Sequence, residues 1–95
     1  MNAREQLRAE MESELKRIDE TISELKQKAD KQKVSLDEAL GMPYEEFLAL
    51  KEKIAAHLKE LSRAEDVSVE KIRATLEKYI GDVDESFRRA ITYYK

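Results

Sequence analysis

Leu7, Met11, Leu15, Ile18, Ile22, Leu25, Ala29, Leu36 and Leu40 recur every three or four residues, and nearly everything between them is charged or amide. At about 100° per residue these positions share one band roughly 80° wide, the apolar seam of an amphipathic helix. The spacing predicts a helix over about residues 3–40, roughly 57 Å long. Ser35 with Glu38 three residues on is a capping-box pattern that would restart a helix at that point. Leu36 and Leu40 nevertheless keep the phase of Leu7 to Leu25, which favours a continuous helix. A rod of that length is too long for the core of a compact domain of this size. The seam formed by Leu7, Met11, Leu15, Ile18, Ile22 and Leu25 is therefore expected to pair with the third helix or with another chain, and at least a dimer is expected.

Gly41-Met42-Pro43 stops the first helix, with glycine just past its end and proline at the next first turn. Glu45 and Glu46 then fall where a helix dipole favours negative charge. A second helix over about 43–63 carries Tyr44, Phe47, Leu48, Ile54, Leu58 and Leu61 on one face. A short connection between amphipathic helices folds them into an antiparallel hairpin. A third stripe, Val69, Ile72, Leu76, Tyr79, Ile80, Val83, Phe87, Ile91 and Tyr94, predicts a helix over about 68–94. It keeps one phase through Gly81, so the glycine is expected inside the helix; Asp82 with Glu85 would instead cap a fresh one. Asp66 and Ser68 are N-cap candidates and Val67 and Val69 mediocre helix formers, yet residues 63–67 hold neither glycine nor proline. The second and third helices are thus either two arms of a bundle or one bent helix.

Composition agrees with this pattern. Charged residues make up 41% of the chain, and only two glycines and one proline occur, too few for a strand-and-turn protein. The expected class is all-α: an elongated antiparallel helical hairpin or coiled-coil bundle of two to three long helices in a single domain. With no cysteine, a reducing cytoplasm is the expected compartment. The first residues hold no apolar signal core, and no apolar run approaches the roughly 18 residues of a membrane span. Net charge is −3, divided as −2 over residues 1–40, −2 over 41–66 and +1 over 67–95. No segment has the basic excess that phosphate binding requires, so nucleic acid is not an expected partner.

Few residues suggest chemistry. His57 is the single histidine, and one histidine without cysteines does not make a zinc site. Three residues before it stands Ile54, where a bundle di-iron motif needs glutamate. Carboxylate pairs such as Asp19/Glu20 and Glu45/Glu46 are consecutive and diverge by about 100° on a helix. There is no glycine-rich phosphate loop and no nucleophile elbow. Neither enzymatic activity, a metal nor a cofactor is expected. The basic stretch from Lys26 to Lys33 fits a solvated piece of helix better than a patch for an acidic partner. Tyr79, Val83, Phe87, Ile91 and Tyr94 form an aromatic-rich stripe that serves either as core or as a docking surface.

Ile18-Asp19-x-x-Ile22-x-x-Leu25-x-x-Lys28-Ala29-Asp30, Tyr44-Glu45-Glu46, Leu58-x-x-Leu61 and the closing Phe87…Tyr94-Lys95 together resemble a family of small bacterial coiled-coil-domain proteins. Some members are labelled stress-response proteins. The resemblance spans about residues 10–95 and implies a helical, cytoplasmic, non-enzymatic protein. It carries over no catalytic residue. The chain departs from the family in having Gly41 and Pro43 where such proteins run alanine-rich helix, and in lacking tryptophan. The expected function is a structural or protein-interaction role through helix–helix association, with a stress connection. The alternative is a peripheral, lipid-binding amphipathic protein, disfavoured by the acidic residues diluting the polar face of the third stripe.

Overall fold

A computed structural model describes residues 2–95. Four α-helices follow one another: α1 (Ala3–Gln32), α2 (Leu36–Leu40), α3 (Tyr44–Leu61) and α4 (Val69–Tyr93). A 3₁₀ turn, Asp66–Ser68, precedes α4. No strand occurs among the described residues. The chain forms an elongated helical bundle, 47 × 21 × 17 Å.

α1 starts at Asn2, whose side-chain oxygen accepts the Glu5 amide at 2.9 Å and satisfies one of the orphan donors of the first turn. Its 30 residues rise about 45 Å, which accounts for the long dimension of the molecule. The expected continuous helix to residue 40 does not form. Lys33 adopts the left-handed conformation (φ 55°, ψ 39°), and the Lys33 and Val34 amides both close on the Ala29 carbonyl. This is the closure glycine usually makes, and a lysine bears it at about 1–2 kcal/mol of backbone strain. The Ser35 hydroxyl makes no capping bond to α2, and Glu38 reaches away to Tyr93.

The second joint matches its sequence signal. Gly41 has φ 75°, and its amide donates to the Asp37 and Glu38 carbonyls. Pro43 precedes α3 and offers no side-chain cap. The Asp37 carboxylate instead accepts the Tyr44 amide at 3.3 Å, so α2 caps the helix that follows it. A β-carbon at Gly41 would lie 2.7 Å from an Arg89 guanidinium nitrogen. Gly41→Ala should therefore destabilise the chain by about 1 kcal/mol or more, and Gly41→Asn by less, because asparagine tolerates the left-handed region. Paired thermal melts of the two variants test this ordering.

Residues 43–94 are not one bent helix. The chain leaves α3 through a turn in which Ser62 Oγ and the Ser62 amide donate to the Lys59 carbonyl. Glu65 then becomes extended, and its carbonyl accepts the Ser68 amide. Gly81 lies inside α4 at negative φ, with nothing within 4 Å of where its β-carbon would stand. Gly81→Ala should add helix propensity at no steric cost and stabilise by up to about 1 kcal/mol, raising Tm by roughly 4–8 °C. A lowered Tm would show that α4 breaks at this position in solution.

Cross-helix contacts give the helix directions. α1 and α4 run parallel, joined by ion pairs Arg73–Glu10 and Arg17–Asp84 at 3.2 and 2.8 Å, with Arg4 paired to Asp66 of the preceding turn at 2.9 Å. α3 runs antiparallel to α1, with Lys51 paired to Asp19 and Lys26 lying 4.6 Å from the centre of the Tyr44 ring. On its other side α3 meets α4 through Phe47 against Phe87 and His57 against Tyr79. One core runs through all four helices: Leu7, Ile18, Leu40, Phe47, Ile54, Leu61, Leu76 and Val83 are essentially inaccessible to water. At about 37 Å, α4 matches most of the length of α1. Of the two covers expected for the apolar seam of α1, the last helix of its own chain is the one present. Leu7, Met11, Ile18, Ile22 and Leu25 are buried, and Leu15 is half-buried.

Candidate functional site

The polar side chains with the best-defined partners gather where α2 and the last turns of α4 close the bundle. Ser86 is the one buried polar residue among the described residues, and its hydroxyl donates to the Leu40 carbonyl at 2.6 Å. That bond satisfies a carbonyl that α2 is too short to use. Two turns further, the Tyr93 hydroxyl donates to the Glu38 carboxylate at 2.9 Å. The bond to that carboxylate holds the phenol above its ordinary titration range, because ionising it would set two negative charges side by side. Tyr94 is buried, and burial raises its titration too; its hydroxyl donates to the Val34 carbonyl. The Gln32 amide donates to the Tyr94 carbonyl at 2.8 Å. The C-terminal residues of α4 thus clasp both α2 and the α1–α2 joint.

Beside this clasp lies an open groove of about 680 Å³, lined by Glu38, Ala39, Arg88, Arg89, Thr92 and Tyr93. A second, of about 540 Å³, follows the α3–α4 turn over Ala56, Ala64 and Ile72, with Lys59 and Arg63 at its rim. Both are shallow. Arg89 already lies toward Glu85 at 3.8 Å. Further along the α1–α4 seam, the hydrogen bond to Glu14 and the charge of Asp84 raise the Arg17 guanidinium despite partial burial.

Of the stripe singled out as a docking surface, Val83, Phe87 and Tyr94 belong to the core, and Tyr79 is half-buried against His57 and Lys53. Only Ile91 stands in solvent, at 45% exposure. The stripe packs the bundle. His57 lies on the surface of α3, where its Nδ1–H donates to the Lys53 carbonyl at 2.8 Å. No group of three or more histidine, aspartate or glutamate side chains among the described residues is placed to hold a metal ion. Among those residues no helix is long and apolar enough to cross a membrane. Leu48 on α3, Val67 in the turn before α4, and Ile91 and Tyr93 near the end of α4 are exposed. The clasp was not legible in advance. Its signal would have been Tyr93 on the flank of the α4 stripe, facing a carboxylate on α2.

No family model, curated protein or solved structure matches the chain.

Proposed function

We propose that the protein is a non-enzymatic structural or interaction protein that acts through helix–helix association, with a second copy of itself as partner. The observation that carries this is where the polar side chains are engaged. Ser86, Gln32, Tyr93, Tyr94 and His57 each bond a backbone carbonyl or a neighbouring helix, and arginine ion pairs join α1 to α4 at two levels and to the turn before α4 at a third. Exposed ion pairs of this kind add little stability, yet they select one register and orientation between helices. Specific helix pairing is what such a surface does well. The resemblance noted above supports a cytoplasmic setting and a stress-related role.

Light scattering across a micromolar to millimolar series tests the proposal. The expected result is a mass that rises to that of two or more chains. A strictly monomeric protein throughout would overturn self-association. Co-sedimentation with anionic vesicles in place of self-association would favour the lipid-surface alternative.

A further inference from the structure

The α1–α2 joint is built in a way that the rest of the chain does not call for. Lys33 is the one non-glycine at positive φ among the described residues. It is exposed, and Ser35, which begins α2, makes no side-chain cap. Across this joint the apolar phase is unbroken: Leu25 is buried on α1, Leu40 is buried on α2, and Leu36 packs partly between them. The three residues 33–35 span nearly one helical turn, so straightening them leaves both stripes aligned. Neither glycine nor proline stands at positions 33–35, and the capping-box pattern of Ser35 and Glu38 is left unused. What opposes a helix through them is tertiary: Ser86 and Tyr93 hold α2 to α4, while α1 lies back against α3 and α4 of its own chain.

We infer that this joint is a hinge for exchange of α1 between two copies of the chain. In the exchanged form residues 3–40 run as one helix. α2 keeps its bonds to its own α4, and α1 lies on α3 and α4 of the second copy. Every contact of Leu7, Ile18 and Leu25, and every ion pair between α1 and α4, is remade across the pair. The surface is self-complementary by construction, because the two copies trade identical elements about a two-fold axis. The left-handed lysine is relieved in the exchanged form, and the bonds that close the joint in one chain, such as Tyr94 to Val34, are given up. The occupant of the vacated α1 seat is therefore a second copy of this chain. The proposal rests on the self-association proposed above and specifies its mechanism.

The chain has no cysteine, so a label pair can be placed uniquely. Glu12→Cys and Glu46→Cys put labels on exposed positions of α1 and α3. The antiparallel register set by Asp19–Lys51 and Lys26–Tyr44 places these labels about 20 Å apart within the closed chain. In a straight helix the first label stands about 42 Å from residue 40, so the intrachain distance grows to about 40 Å or more. Labelled chain is diluted into excess unlabelled chain, monomer and dimer are separated, and the distance is read in each. The expected result is the short distance in the monomer and the long one in the dimer. Lys33→Ala, which favours helix through the joint, should enrich the dimer about tenfold, and Lys33→Gly, which favours the left-handed turn, should deplete it. A dimer showing only the short distance overturns exchange and leaves self-association standing. A monomer at every concentration, in the wild type and in Lys33→Ala, overturns both.

Discussion

Ile18→Glu should abolish the folded state at neutral pH. Ile18 has no accessible surface, and the chain covers it from within. Losing the isoleucine costs about 2–5 kcal/mol in transfer and packing, and an unpaired carboxylate in that place costs several more. A chain of this length has only about 5–14 kcal/mol of total stability. Far-ultraviolet circular dichroism should show the helical signal lost without dependence on protein concentration, since the damage lies within one chain. Ile91→Glu is the control. That side chain is 45% exposed, and its replacement should shift stability by no more than about 0.5 kcal/mol. A cooperative melt of Ile18→Glu close to wild type would mean that α1 does not pack as described.

Phe47→Ala should cost about 3–5 kcal/mol and lower Tm by at least roughly 12 °C. The ring is fully buried, its centre 5.4 Å from that of Phe87 at a 40° tilt and 6.3 Å from that of Tyr44. It joins α3 to α4, so its removal opens a cavity between them. Leu48→Ala, one residue along and 37% exposed, should cost less than about 1 kcal/mol. A double-mutant cycle with Phe87→Ala should return a coupling of about 0.5–1.5 kcal/mol, the usual size for an aromatic pair. Equal effects at positions 47 and 48 would contradict the face assigned to α3.

Periodicity identified most of the helical residues and most of the core, because burial on a helix is written every third or fourth position. Gly41 and Pro43 announced their turn, since each has a conformation that few other residues share. Lys33 itself announces nothing, and the capping-box pattern of Ser35 and Glu38 beside it is outweighed by the unbroken stripe. A lysine in the left-handed region has no sequence signature, and a linker close to one helical turn hides itself by keeping the stripe in phase. The turn after Leu61 was equally quiet: Ser62, Arg63, Ala64 and Glu65 reverse the chain without glycine or proline. Counting the five residues of α2 and its joint into α1 overstates its length, which is why cover by α4 and cover by another chain both stood open. The aromatic stripe looked the same in sequence whether it faced solvent or core. Only the fold put Val83, Phe87 and Tyr94 inside and left Ile91 outside. The polar clasp of Tyr93 on Glu38 links residues 55 apart in sequence, and no local pattern reports such a bond.

The parallel pairing of the first helix with the last has a consequence for synthesis. Arg17 meets Asp84 across 67 positions, and Gln32 meets Tyr94 across 62. At about 5–20 residues per second, a ribosome takes roughly 3–13 s to make the chain between Ile18 and Asp84. Throughout that interval α1 exists with half its seat unmade, while α3 and α4, neighbours in sequence, can pair as soon as both have emerged. A nascent α1 is thus the piece that waits.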